Sequence, residues 1–262
     1  MRAAARTTTD ASPAERARAF DAGVFLRAAE RLERLDGATL ISHPTLSRVP
    51  HLNTIVLHAA LDAAAVEALA GELQAGLPHR RVLVEDERHG ERLAAELVAR
   101  GWRSEPLLLL GRDGALAPPE APAPAEEVPY GQVRGLRDEW LRSEPWATGD
   151  ELVAEAHEAD RRLFAGTPTR AFAAFEQGRP LAYALLLDGG RDGMLEDVYT
   201  TPQARGRGLS TSVIAAVLHA ARAEKHETVF VPTDAEGRAR ALYERLGFAP
   251  LVLQYRFTKD AA

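Results

Sequence analysis

The 262-residue chain has no cysteine, which excludes disulfides, a thiol nucleophile and thiolate metal ligands. It has no apolar run near the ~18 residues that a membrane span requires. The start, Met1-Arg-Ala-Ala-Ala-Arg6-Thr-Thr-Thr9, lacks an apolar h-region, so it reads as a frayed tail and not as a leader. A basic balance is missing too. With 38 Asp+Glu against 32 Lys+Arg the net charge is −6, the wrong sign for a general nucleic-acid binder. The eight histidines are scattered, with no HExxH and no pair at ligand spacing, so no metal is expected. A cytoplasmic location is the default expectation. The content is 46% hydrophobic and 27% charged, which suits a globular protein with sizeable cores, and the length allows one large domain or two ordinary ones.

The chain is organised around Val198-Tyr199-Thr200-Thr201-Pro202-Gln203-Ala204-Arg205-Gly206-Arg207-Gly208-Leu209. Residues 195–201 are rich in β-formers, and from Leu209 the apolar positions Val213, Val217 and Ala221 recur at helical spacing. Residues 203–208 are therefore a strand-to-helix loop. Glycines on both sides of Arg207 let the backbone approach a ligand, and the free N–H groups and positive dipole end of the helix point at an anion. A Walker loop is excluded, because no Lys follows Gly208. The dinucleotide fingerprint fails at Thr211, where Gly or Ala belongs. The pattern Gln/Arg-x-x-Gly-x-Gly is met in full by Gln203, Gly206 and Gly208.

Downstream, 228–231 reads as a short buried strand, followed by Ala239-Arg-Ala-Leu-Tyr243-Glu-Arg-Leu-Gly247-Phe248 and a last strand over 251–257. The loop and this A-x-x-x-Y-x-x-x-G-F spacing, in this order and at this distance, resemble the GNAT acetyltransferase superfamily. The resemblance implies an α/β (α+β) fold with a mixed central sheet flanked by helices. It also implies acetyl-CoA as cosubstrate.

Ser12-Pro13-Ala14-Glu15 is a capping box, and Phe20, Val24, Ala28, Leu32 and Leu35 predict a helix that runs until Gly37. Residues 54–57, 81–85 and 107–110 read as strands, with helices over 62–75 and 91–100 between them, a βαβαβ order. This half mirrors the other. Val82-Leu-Val84, Leu93 to Leu97, Gly101-Trp102 and 107–110 repeat the spacing of Val229-Phe-Val231, Ala239 to Tyr243, Gly247-Phe248 and 251–257. Leu97 stands where Tyr243 does, and no Gln-x-x-Gly-x-Gly precedes the helix at 62–75. The expectation is a tandem arrangement: a degenerate unit at 1–110, a Pro/Ala-rich linker at 111–129, and a catalytic domain at 130–262. In the second half a short strand is expected near Tyr130 to Val133. A helix follows over 133–142, then a second capping box at Thr148-Gly-Asp-Glu151 opens another, and two strands over 170–175 and 181–187 are joined at Gly178.

Acyl transfer from a thioester to an amine sets three requirements. The donor must be held by its non-reacting part. The resemblance gives this to the backbone of Val198, Tyr199 and Thr200, which would pair with pantetheine, and to Gln203, Ala204, Arg205, Gly206, Arg207, Gly208, Leu209 and Ser210 for the pyrophosphate. Arg205 and Arg207 are either phosphate anchors or solvated loop charges. The amine must lose a proton. Glu196 and Asp197 are adjacent, so on an extended strand they point to opposite faces. Glu196 is preferred because it shares a face with Val198, while a structural acceptor role accounts for either carboxylate. The leaving thiolate needs a proton, which the resemblance assigns to Tyr243; a core tyrosine beside Leu242 and Leu246 is the other reading. Glu236 stands where family members often carry Asn. Trp140 and Trp146 fit either an aromatic acceptor cleft or plain core.

The expected activity is transfer of acetyl from acetyl-CoA to a primary amine of a small molecule, without nucleic acid, membrane or metal, by a monomer or homodimer. A non-catalytic acyl-CoA sensor and a protein N-acetyltransferase are the alternatives.

Overall fold

The computed structural model describes residues 11–144 and 149–261. Among them, eleven strands form one mixed sheet with seven α-helices on its faces. Helix α1 (Pro13–Ala28) opens on the expected capping box, with Ser12 and Glu15 bonded reciprocally. It stops earlier than its apolar stripe predicts. Arg31–Leu35 is strand β1, paired with β2 (Ala38–Ser42) through the two-residue turn Asp36-Gly37. An Asp-Gly turn is a strong hairpin signal, and the ladder it sets up overrides a modest helical pattern. Leu32 is left 45% exposed on this edge strand.

The first half continues with β3 (Thr54–Leu57), α2 (Ala63–Leu73, capped by Asp62), β4 (His79–Val84), α3 (Glu87–Ala99) and β5 (Arg103–Asp113). The second half holds β6 (Glu126–Val128), α4 (Arg134–Ser143), α5 (Asp150–Gly166), β7 (Thr169–Glu176), β8 (Arg179–Asp188), β9 (Gly193–Thr200), α6 (Leu209–Ala223), β10 (Thr228–Asp234), α7 (Arg238–Arg245) and β11 (Ala249–Asp260). Two expectations shift. Residues Tyr130–Gln132 form a 3₁₀ turn, and the strand lies just before it at Glu126–Val128, paired with β7. Pro129, which has no N–H to give a ladder, ends that strand. The linker is also shorter than 111–129, because Gly111, Arg112 and Asp113 complete β5 and Glu126 to Val128 form β6. Thr148 of the second capping box and Trp146 lie outside the described residues.

The strand order is β1-β2-β3-β4-β11-β5-β10-β9-β8-β7-β6. Apart from β6 it reads the same in both directions when β1 to β5 are exchanged with β7 to β11. The centre contains an exchange. Strand β11 lies between β4 and β5, with Phe257 opposite Val82 on one side and Gln254 opposite Leu107 on the other. Strand β5 in turn lies between β11 and β10, with Leu110 opposite Val231. Each half therefore closes its sheet with the other half's last strand.

This placement explains the apolar run in β5. Leu108 and Leu110 enter the core under α6 and α7, whereas Leu107 and Leu109 enter the core under α1 and α4. A strand covered on both faces is apolar throughout, and each such leucine contributes ~1.5–3 kcal/mol on burial. No helix among the described residues is long and apolar enough to cross a membrane.

Candidate active site

The parallel neighbours β9 and β10 pair only at Val229 with Gly193 and Phe230 with Met194. Beyond that point they splay, so the β10-facing edge of residues 195–200 is left unpaired, a backbone template for an extended ligand. Val198, Tyr199 and Thr200 lie on it.

Opposite that edge β9 carries a bulge. Leu185 pairs with Glu196 and Tyr183 with Tyr199, so Asp197 and Val198 together face the single residue between them. Asp197 has a left-handed backbone, φ 51°, and this extra residue breaks the alternation of the strand. The argument that Glu196 shares a face with Val198 is thereby overturned. Glu196 has the parity of Met194, which lies in the α1/α4 core, while Val198 packs on the α6 core.

The two carboxylates differ in their surroundings. Asp197 Oδ1 accepts from Arg137 Nη1 at 3.1 Å. The same guanidinium donates to Asp160 through Nε at 3.1 Å and Nη2 at 2.9 Å, Asp160 also accepts from the Tyr130 hydroxyl at 2.8 Å, and Trp140 lies under the guanidinium at 4.6 Å. Trp140 thus packs against a structural arginine. Glu196 has no hydrogen bond or ion pair among the described residues. Burial, then the neighbouring Asp197 and Asp21, push its carboxyl up to about 8. Asp197 is raised as well, by burial first, against the pull of Arg137.

The loop from β9 to α6 provides the anion cradle. Gly206 and Gly208 have φ of 77° and 80°, a region that glycine enters without steric cost. Among the described residues, the amides of Gly206, Arg207 and Gly208 donate no backbone hydrogen bond, and no side chain caps α6. Ala204 and Leu209 are buried beneath the loop, while Gln203, Arg205, Gly206 and Arg207 are exposed. Ser210 Oγ is 2.9 Å from Thr200 Oγ1, which ties the helix start to the strand end. Arg205 Nε donates to Thr200 O at 3.3 Å, and Arg207 is paired with Glu176. The linker borders the cradle: Ala123 N donates to Ser212 Oγ at 2.9 Å, and a Cβ on Gly208 would meet Pro122 Cγ at 2.9 Å.

Tyr243, on α7, lies in the α6/α7 core, edge-on to Phe248 at 5.8 Å between ring centroids. Its hydroxyl has no hydrogen-bond partner among the described residues. Burial, then the charges of Glu196 and Asp197, raise its pKa. Tyr243 and Glu196 thus approach the splay from opposite faces of the sheet.

Sequence reasoning missed the polar wall on the Glu196 side. Gln254 of β11 donates to Asp21 of α1 at 3.0 Å, and His51, Arg81 and Arg256 are close enough to act electrostatically on one another. A signal existed for some of these: Asp21, Arg137 and Asp160 each interrupt an apolar stripe, as with Arg137 between Val133 and Leu141. Elsewhere, an open depression of about 780 Å³, lined among others by Arg16, Asp113 and Lys225, contains neither Glu196 nor Tyr243. Asp188, Glu224 and His226 converge at the end of α6, where Glu224 is also paired with Arg170.

Residues 133–248 match the acetyltransferase (GNAT) family model. A GCN5-related N-acetyltransferase from Kribbella flavida superposes with a TM-score of 0.62 at 19% identity, over 97% of this chain and 98% of that one. A functionally unknown conserved protein from Staphylococcus epidermidis ATCC 12228 gives 0.68 at 12% identity, over 89% and 95%. A tandem GNAT protein from the clavulanic acid biosynthesis pathway gives 0.53 at 14%, over 80% and 75%. At such identities the likeness is one of fold. No curated protein matches the sequence.

Proposed function

We propose, from the match of residues 133–248 to the acetyltransferase (GNAT) family model, that the chain transfers an acetyl group from acetyl-CoA to the primary amine of a small molecule. The observation that carries this reading is the coincidence, at one splay, of an unpaired strand edge, an anion cradle, a free carboxyl and a free phenol. When bound, the thioester supplies an activated acyl carbon. Residues 130–262 act as the catalytic unit. Residues 1–110 bind no coenzyme, since they have Leu97 in place of Tyr243 and no glycine loop before α2.

The free amides of residues 206–208 and the start of α6 hold the pyrophosphate, where backbone donors and the helix dipole favour an anion. Residues 198–200 align the pantetheine arm along the open edge of β9. Glu196 takes the proton from the acceptor ammonium, directly or through one water; the carboxylate of a group raised to about 8 is a stronger base than an ordinary one, and its fraction grows as pH rises towards that value. Asp197 is held by Arg137 and orients the bulge. Tyr243, protonated at neutral pH, gives its proton to the departing thiolate on the other face. Arg205 is the better phosphate anchor of the loop pair, because Arg207 is engaged by Glu176.

Coenzyme release measured over a panel of amines, amino acids, aminoglycosides and peptides tests this. Saturable release with a small amine is the expected result. Acetyl-CoA binding without release for any acceptor would leave the fold as a coenzyme sensor, and release with peptides alone would move the acceptor to proteins.

A further inference from the structure

The face of the sheet on which Glu196 opens continues across β11 to β4 of the N-terminal half, and there two guanidinium groups, one on each strand, have few partners. In the β4–β11 ladder Arg81 is opposite Thr258 and Leu83 is opposite Arg256. Directly opposed residues share a face, as do residues two apart on one strand, so Arg81 and Arg256 project to the same side. It is the side of Gln254 and of α1.

Arg81 Nη1 donates to Thr258 Oγ1 at 3.2 Å, and Arg81 has no ion pair among the described residues. Arg256 Nε is 3.5 Å from Glu105 Oε2, yet that buried nitrogen has no hydrogen-bond acceptor. The nearby acids are largely committed or distant. Asp21 accepts from Gln254, and burial raises its pKa. Arg103, on the neighbouring strand β5 opposite Thr258, is already taken by Asp260 at 2.7 Å. His51 is held neutral, pulled down to about 3 by burial and then by Arg81. Arg81 itself is pulled down to about 10, first by burial and then by Arg256, so it stays charged at neutral pH. Two partly desolvated cations beside each other are costly unless an anion joins them.

Resting on the acetyl-transfer reading above, we propose that Arg81 and Arg256 bind a carboxylate on the acceptor, an amino-acid-like amine whose amino group they hold toward Glu196. A planar guanidinium matches a carboxylate in two parallel hydrogen bonds. Glu105, which acts on both guanidinium groups, offsets part of the charge of the arginine pair and leaves the rest for a monoanion. Arg137 is unavailable for this, because Asp160 and Asp197 occupy it. The seam between the halves, with Arg81 from β4 and Arg256 from β11, then selects the acceptor while the C-terminal half holds the donor.

The test compares the common L-amino acids with their decarboxylated amines, and with O-phosphoethanolamine, in wild type, Arg81→Gln, Arg256→Gln and Arg256→Lys. Coenzyme release and calorimetric binding are both measured, and circular dichroism checks each variant's fold. The expected result is an amino acid preferred over its decarboxylated amine by about 10–100-fold in kcat/KM, carried by KM, the range that charged hydrogen bonds provide. That preference should fall by the same factor in the two glutamine variants and return in part with Arg256→Lys. Equal use of decarboxylated amines, a preference that survives both glutamine variants, or selective use of O-phosphoethanolamine would overturn the proposal. If no amine releases coenzyme, the acetyl-transfer reading fails. Calorimetry then still decides: saturable amino-acid binding lost in Arg81→Gln supports the carboxylate site, and no binding overturns it.

Discussion

Arg137 Nη1 donates to Asp197 Oδ1 at 3.1 Å, from α4 to the bulge of β9. Because that guanidinium also holds Asp160, Asp197 belongs to a buried ion triad that does not include the adjacent Glu196. Removing the arginine would strand two buried carboxylates. Arg137→Ala is therefore expected to cost about 3–5 kcal/mol in urea unfolding, whereas Arg137→Lys, which keeps the charge but not the fork, should lose less.

Glu196 ties activity and stability to pH in opposite senses. With its carboxyl held up to about 8, kcat/KM should climb as pH rises and level off above about 8; Glu196→Gln should flatten that limb and lower the rate by about 10²–10⁴-fold. The ordinary carboxyl value is 4.5, so between 4.5 and about 8 the folded protein keeps a proton that the unfolded chain releases. Folding stability from this site is highest below the ordinary value and declines as pH rises to about 8. Melting temperatures of wild type and Glu196→Gln over this range should diverge, with the variant the more stable at the alkaline end.

Tyr243→Phe separates chemistry from packing. The ring stays against Phe248, and only a proton donor used in the transition state is lost. Single-turnover rate should fall about 10²–10⁴-fold while the acetyl-CoA dissociation constant barely moves. Unchanged turnover would make Tyr243 a core residue.

Gly206 has open space around its missing side chain, at φ 77°, so Gly206→Glu combines backbone strain with a negative charge at the helix start. Calorimetry should show acetyl-CoA affinity lost or greatly weakened. An isotherm like that of wild type would place the coenzyme elsewhere.

The exchange of β5 and β11 makes a prediction for fragments. Residues 1–117 alone leave β4 and β5 with no strand between them, so the fragment should be unfolded or aggregated by circular dichroism and light scattering. Co-expression with residues 118–262 should recover a soluble complex.

The features legible in the sequence are those that local spacing determines. The cradle at residues 203–208 and the α7 motif around Tyr243 are contiguous stretches whose glycines and aromatics specify backbone shape. The bulge at Asp197 was not legible, because a left-handed aspartate inside a strand leaves no mark on a pattern of two. Leu32 and Leu35 fit a helical stripe, and only the Asp36-Gly37 turn behind them pointed to a hairpin. Asp21, Arg137 and Asp160 were visible as charges on apolar stripes, yet a stripe does not name the partner. The proposed acceptor site combines Arg81 with Arg256, residues brought together by a ladder between the first and last thirds of the chain.

The two ladders of β11, with β4 and with β5, also order events during synthesis. Arg103 and Asp260, joined at 2.7 Å, are 157 residues apart in sequence, and contacts of such separation form slowly. As the ribosome delivers the chain from its N-terminus, β4 and β5 emerge early and wait with open edges for a strand that comes last. An unfilled gap in a nascent sheet is an aggregation hazard, so a chain cut before Ala249, without β11, would leave both halves incomplete and not only the second.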